Sequence, residues 1–309
     1  DNYSKIIKNL KCAYLSLKKM SIKRGKIDLN LEEVKIESSK NKAFFSFSKN
    51  KHLFSEKIIE ELMIFANNIV ATFFFSKKIK SIYRNHEKPN DEKILKLRKS
   101  FKLLNIEIKN NKLKTQKDFL KILSLGNNPY FKLIKESILR SQSKAFYHYK
   151  NIGHFGLALK NYTHFTSPIR RYSDLLVHRS ISKELFGNKN LIIDISDSVC
   201  SYLLKQEKKS ELIERNIIEK ACCLYLTKIK RKNFTGFIDG LTEFGIFIKA
   251  VELPFSGLLR LNTINDDFYD FDNKNFLIKG RNHGKLFLIG QKVSFKIKDW
   301  LFIMQNLIY

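Results

Sequence analysis

The stretch from Gly153 to Arg179, GHFGLALKNYTHFTSPIRRYSDLLVHR, crowds imidazole, hydroxyl and guanidinium groups into one segment. Thr166 or Ser167 is a suitable helix N-cap and Pro168 suits the first helical position, so the spacing predicts a helix starting just after Ser167. Unpaired amides at such an N-terminus attract anions, phosphates among them. Arg170 and Arg171 would then sit in the first turn, where the helix dipole disfavours each cation by about 0.3–1 kcal/mol. An anion held between them and the amides explains that placement. Asp174 is one turn beyond both arginines and can orient a guanidinium, and His178 continues that face. Ile169, Tyr172 and Leu176 can face the core. In an arbitrary chain, S-P-x-R-R would mark only a capped surface helix with solvated arginines.

Helices and strands on either side must hold this segment in place. Residues 3–20 carry apolar positions at helical spacing and end in a basic turn around Lys23, Arg24 and Gly25. Residues 27–49 alternate as short strands. Ser55 opens a helix to about Phe75, and Ile82–His86 reads as extended. Asn90 and Asp91 cap a helix carrying Ile94, Leu97, Phe101 and Leu104, and helices over about 116–124 and 129–141 follow. Residues 153–167 lose helical period, as a loop or strand lining a site does. A helix to about Leu185 and a long one over roughly 193–227 complete this part. The period then becomes two: Phe234–Ile238, Phe244–Ile248, Ser256–Leu261, Val293–Ile297 and Leu301–Leu307 predict five strands, the number an OB-fold barrel needs. The expectation is an α+β chain, with a large mixed helix and sheet domain over 1–229 and a five-stranded barrel over 230–309.

Lysine and arginine number 58 against 30 acidic residues, a net charge of +28, which suits a polyanionic partner such as nucleic acid or an anionic membrane. Codon bias toward Lys, Asn, Ile and Phe accounts for lysines equally well, but the positive field exists whatever its origin. Cys12, Cys200, Cys222 and Cys223 form no C-x-x-C pair, so reduced thiols in a cytoplasmic protein are expected, without zinc. The most apolar run, Leu62–Phe75, is interrupted by Asn67 and Asn68 and reads as too short to span a bilayer, so no membrane partner is expected.

The central segment closely resembles the signature of the ribonuclease II/R family, H-F-G-L-A-L followed by Y-x-H-F-T-S-P-I-R-R-Y-x-D-L-x-x-H-R. His154–Leu159, Tyr162, His164–Tyr172, Asp174, Leu175, His178 and Arg179 all match. Lys23–Asp28 is similar to K-R-G-x-I-D, Ile58–Met63 with Ala66 and Asn67 to I-E-E-x-M-x-x-A-N, and Tyr83, Arg84, His86, Glu87 and Pro89 to Y-R-x-H-E-x-P. Gly236–Phe247 and Gly257–Leu259 resemble the OB-fold type first described in ribosomal protein S-one, and Asp266–Phe271 with Gly290 suit the R branch.

This resemblance implies processive, hydrolytic 3′→5′ degradation of single-stranded RNA to nucleoside 5′-monophosphates by a monomer using two Mg²⁺ ions. It assigns Arg170 to the charge developing at phosphorus. Arg171, His154, His164, Thr166, Ser167 and Tyr172 would line a narrow RNA channel, supported by Asp174 and His178. Tyr83 is a candidate base-stacking ring, with a buried structural tyrosine as the plain alternative. Phe234, Phe244, Phe247 and Arg260 would contact RNA on the barrel, although alternate strand residues must be core. Arg260 stands where relatives often carry histidine.

The family's aspartate cluster, D-x-x-x-x-x-D-x-D-D, is expected upstream of K-R-G-x-I-D and does not occur in this sequence. The Mg²⁺ ligands are therefore expected ahead of Asp1, and the chain reads as cut from something longer. The isolated chain is then expected to be inactive. Two other readings are an RNA-binding product that does not cleave, and one half of a split enzyme whose metal site is on a separate chain.

Overall fold

The computed structural model describes residues 2–29, 33–38, 45–50, 53–103, 106, 113–126, 131–187, 193–228, 233–273 and 277–297. Helix α1 (Asn2–Arg24) ends at Gly25, whose φ of 97° turns the chain toward Lys26. The Lys26 ammonium is buried between Glu60 (2.8 Å) and Glu61 (2.9 Å) of α2 (Phe54–Ser76). Burial pulls its pKa down, but the two carboxylates outweigh it and raise it. A hairpin of β1 (Glu33–Ser38) and β2 (Phe45–Asn50) separates the two helices in sequence.

The apolar run expected to be too short for a bilayer lies inside a 23-residue helix that is long and apolar enough to cross one, by length and composition alone. That expectation is corrected, because Phe54–Glu61 extend the helix beyond the run. Part of α2 is committed to the fold: Ala71 and Phe74 are fully buried with Tyr83 and Val177.

Helices α3 (Asp91–Leu103), α4 (Gln116–Leu123) and α5 (Phe131–Ser141) enclose a core of Ile94, Leu97, Phe101, Phe119, Ile134 and Ile138. Asn90 caps α3 as expected, its side chain accepting from the Lys93 amide at 2.9 Å. Strand β3 (Tyr83–Asn85) pairs antiparallel with β4 (Phe146–His148), which the sequence reading did not anticipate. On this pair pack α6 (Tyr172–Phe186) and α7 (Asp197–Lys228), through Ile82, Tyr147, Leu176 and Leu203. Helix α6 lies between α2 and α7, so its N-terminus is fixed from two sides.

Beyond α7 the described residues form seven strands in two antiparallel sheets. One runs β11–β5–β6–β7 (β5 Asn233–Thr242, β6 Gly245–Ala250, β7 Ser256–Arg260, β11 Lys292–Lys296). The other runs β10–β9–β8 (β8 Tyr269–Asp272, β9 Leu277–Gly280, β10 Leu286–Leu288). Ile238, Ile246 and Ile248 from the first sheet share a core with Ile278 and Phe287 from the second.

Four of the five expected strands therefore exist, and the fifth, Leu301–Leu307, lies outside the described residues. The five-strand count is corrected by β8–β10, too short and too rich in Asp, Lys and Gly to show an alternation. No closed barrel forms among the described residues. The boundary expected near residue 229 also lies outside them.

Candidate nucleic-acid interface

The loop before α6 is held by hydrogen bonds from α2, which explains two asparagines in an otherwise apolar helix. Asn67 Nδ2 donates to the Tyr162 hydroxyl at 3.1 Å, and its Oδ1 accepts from the amides of Phe165 (2.9 Å) and Thr166 (3.2 Å). Asn68 donates to the Asn161 carbonyl at 2.7 Å. From the other side, His178 Nε2 donates to the Phe165 carbonyl at 2.8 Å while its ring stacks on Phe165 at 4.2 Å. His178 thus anchors the loop rather than continuing an arginine-bearing face.

The predicted helix start is corrected. Pro168, Ile169 and Arg170 form a turn whose amides at Arg170 and Arg171 donate to the Ser167 carbonyl (3.3 and 3.1 Å), and α6 begins only at Tyr172. Arg171, with φ −126° and ψ 118°, is the residue before the helix, so Thr166 and Ser167 do not cap it. The argument that both arginines oppose the helix dipole therefore lapses. Asp174, three residues beyond that extended position, carries the negative charge the first turn favours.

Asp174 is completely buried and reaches backward, accepting from the Ser167 amide at 2.8 Å and from Arg171 Nε and a terminal nitrogen at 2.8 and 2.7 Å. It orients Arg171, not Arg170. Arg170 is exposed, and its guanidinium makes no hydrogen bond or ion pair among the described residues. Ile169 and Tyr172, expected to face the core, are exposed because the turn carries them outward, whereas Leu176 is buried. The Thr166 hydroxyl is buried and makes no hydrogen bond among the described residues.

Behind the loop, buried and half-buried rings run in a chain. The His86 and His154 rings lie 4.9 Å apart, His154 meets Tyr162 edge-on at 5.2 Å, and Tyr162 meets His164 at 5.8 Å. The Tyr147 hydroxyl is hydrogen-bonded to His164 Nδ1 at 2.8 Å. Burial, followed by neighbouring positive charges, pulls the His154 pKa down to about 3 and that of His164 to about 2, so both are neutral at physiological pH. They serve as uncharged hydrogen-bonding rings, and His154 also lines a cavity of about 830 Å³ beside Arg24 and Lys160.

Arg84 grips Glu207 of α7 through both terminal nitrogens (2.7 and 2.8 Å) and lies 4.6 Å over the Tyr147 ring. Tyr147, Glu207, Arg170, Arg171 and Tyr172 together line a cavity of about 690 Å³. Asn67, Tyr147 and Glu207 were missed or given little weight as site residues; only the Asn67–Asn68 break in an apolar helix signalled one of them.

Tyr83 is 4% exposed and packs with Phe74, so it offers no face for stacking and its assignment is corrected. Phe234 is likewise buried, against Phe255 and Phe295. Phe244 is 61% exposed at the β5–β6 turn, with Phe247 partly exposed beside it at 6.2 Å. Phe244 and the exposed Arg260 line a cavity of about 990 Å³. The strand period separates these phenylalanines only once its phase is known.

Among the described residues, no group of three or more His, Cys, Asp or Glu side chains converges as metal ligands would. The residues present do not fit the implied Mg²⁺ site, and no step is assigned to a metal.

The RNB domain family matches residues 1–187. Ribonuclease R of Mycoplasma genitalium is 34% identical over 317 residues, covering 98% of this chain and 44% of that protein. The apo form of the Mycoplasma genitalium enzyme superposes with a TM-score of 0.88 at 32% identity, covering 96% of this chain and 49% of that one. Its complex with ribose methylated single-stranded RNA gives a TM-score of 0.85 at the same identity and coverage. The chain spans less than half the length of the curated relatives it matches. With its signature segment folded as loop, turn and helix around Arg170, the chain belongs to the RNB-domain family of ribonucleases.

Proposed function

We propose that this chain is the RNA-holding portion of a 3′→5′ exoribonuclease that hydrolyses single-stranded RNA to nucleoside 5′-monophosphates. The observation that carries this reading is the division of roles between adjacent arginines. Arg171 is consumed by Asp174, while Arg170 is exposed at the edge of a cavity and unpaired among the described residues. A planar guanidinium free of partners can take two phosphate oxygens at once and stabilise charge that develops on them during transfer. The β-sheet domain, read as an OB-fold, adds Phe244, Phe247 and Arg260 for capture of the strand. The relative solved with single-stranded RNA supports that substrate class.

The carboxylates that hold Mg²⁺ are proposed to lie outside this chain, since no candidate cluster exists among the described residues. The same observation favours a second reading, RNA binding without cleavage. The 309-residue chain, incubated with labelled single-stranded RNA and Mg²⁺, should bind without releasing mononucleotides. Its affinity should fall with salt by roughly 0.7 log units per phosphate contacted for each log unit of salt. Chelator-sensitive release of mononucleotides by this chain would overturn the placement of the metal site elsewhere. Failure to bind RNA would overturn the proposed function.

A further inference from the structure

The cavity of about 830 Å³ beside His154 shares no lining residue with the one that holds Arg170. One wall is the turn His154–Leu159, whose ends exchange backbone hydrogen bonds at 2.8 and 3.2 Å. Neighbouring elements pin that turn. The Gly156 carbonyl accepts from the Ile27 amide, and the Gly156 amide donates to His86 Nδ1, both at 2.9 Å. Arg24 Nε donates to the Leu157 carbonyl at 2.9 Å and Gln116 Nε2 to the Phe155 carbonyl at 3.2 Å. Held this way, Ala158 keeps a φ of 53°, in the left-handed region that alanine rarely adopts. The wall is therefore rigid before any ligand arrives.

The polar groups around this cavity are of two kinds. Arg24, Lys88 and Lys160 bring positive charge, and Nη1 of Arg24 has no partner among the described residues. Glu87 and Asp91 bring exposed carboxylates, and neither is in an ion pair among the described residues. A bare phosphate would gain from the cations but be repelled by the carboxylates. A molecule with a phosphate at one end and hydroxyls further along satisfies both, because carboxylates readily hold ribose hydroxyls. Ile152, 55% exposed, adds apolar surface. On the other side of His154, Tyr162 meets its ring at 5.2 Å and lines, with Arg171, a separate cavity of about 490 Å³. Two touching rings thus divide the 830 Å³ cavity from the arginine side of the signature loop.

We infer that the 830 Å³ cavity is a site for a nucleoside 5′-monophosphate, the product of the proposed reaction, held apart from the RNA strand. The inference rests on the proposed function for the origin of that ligand. The phosphate meets Arg24 and Lys160, the ribose hydroxyls meet Glu87 and Asp91, and the base lies against Ile152. The volume is within the range of roughly 300–1,000 Å³ usual for small-molecule sites.

The test is calorimetric titration of AMP, CMP, GMP and UMP into the 309-residue chain. All four should bind within about 5-fold of one another, since an apolar face takes any base. Inorganic phosphate should bind at least about 10-fold more weakly than UMP, and Lys160→Glu should weaken UMP by a similar factor. Glu87→Ala should weaken UMP but strengthen inorganic phosphate, because it removes a hydroxyl acceptor and a repelling charge together. Unchanged thermal unfolding of both variants confirms that folding is not the cause. Saturating the chain with a short single-stranded oligoribonucleotide should leave UMP affinity unchanged. Displacement of UMP by the oligonucleotide would place the nucleotide in the RNA path and overturn the inference. Phosphate binding as tightly as UMP, or tighter binding of both ligands by Glu87→Ala, would reduce the cavity to a simple anion site and overturn it too. If the chain binds RNA but no mononucleotide, the site is wrong while the proposed function stands. Mononucleotide binding without RNA binding would overturn the proposed function, and with it the assignment of the ligand as its product.

Discussion

Arg170 and Arg171 carry the same charge one residue apart, and their neighbours give them opposite roles. The Arg171 side chain is 21% exposed and paired through two nitrogens to an Asp174 that is 0% exposed. Removing it leaves a buried carboxylate whose partners among the described residues are the Ser167 amide and the Ser173 hydroxyl. Arg171→Ala should therefore cost about 3 kcal/mol in urea unfolding, the usual result of breaking one side of a buried pair. A loss below about 1 kcal/mol would mean that the pair is effectively solvated. The histidines give a second prediction at this scale. With pKa values near 3 and 2 against an ordinary 6.5, His154 and His164 stay neutral in the fold where the unfolded chain takes up protons. Above pH 6.5 neither state is favoured by this difference; as pH falls below it, each histidine costs about 1.4 kcal/mol of stability per pH unit. Unfolding of the parent and of His164→Gln at pH 7 and pH 5 should show a smaller acid loss in the variant; equal losses would contradict burial of a neutral ring. The sequence made the segment recognisable residue by residue, but not which arginine Asp174 would take. Spacing of three and four allowed both, and the turn at Pro168 decided it.

At the scale of elements, helices were legible where apolar residues recur at helical spacing, and their ends were legible where a cap is local, as at Asn90. The α6 start was not: S-P-x-R-R satisfies the rules for a helix N-terminus, yet the Pro168–Arg170 turn satisfies its own amides on the Ser167 carbonyl and delays the helix to Tyr172. Pairing of β3 with β4 brings together residues more than 60 positions apart, which local pattern does not reveal. The division between helical and β domains, plain as a change of period, is less clean in three dimensions. Cys222 and Leu226 of α7 are buried against Phe234 and Phe255, and the Cys222 thiol is pushed up to about 12 by that burial. Arg140 of α5 pairs with Asp239, and Glu136 with Lys249 at 3.3 Å. Removing residues from Asn233 onward should weaken RNA binding and strip amide-exchange protection from the last turns of α7, leaving α6 protected. Full protection of α7 in the shortened chain would show that the helix stands without the sheets.

Across the whole molecule, a charge of +28 draws phosphate toward a surface on which several cations near the signature segment are already engaged. Lys26 is held by Glu60 and Glu61, Arg84 by Glu207 and Arg171 by Asp174. Paired cations build the walls, and Arg170 is exposed within them. The overall positive field was legible from composition; which cation remains available depends on folded partners and was not. The central claim is that Arg170 acts on the reacting phosphate rather than merely gripping RNA. Its direct test is single-turnover hydrolysis of a short oligoribonucleotide by a protein carrying this chain together with the aspartate cluster, with affinity measured separately in Ca²⁺. Arg170→Ala should slow the chemical step by on the order of 10²–10³ with little change in affinity, and lysine should restore only part of the rate. A loss of affinity equal to the loss of rate would make Arg170 a substrate clamp and contradict the assignment.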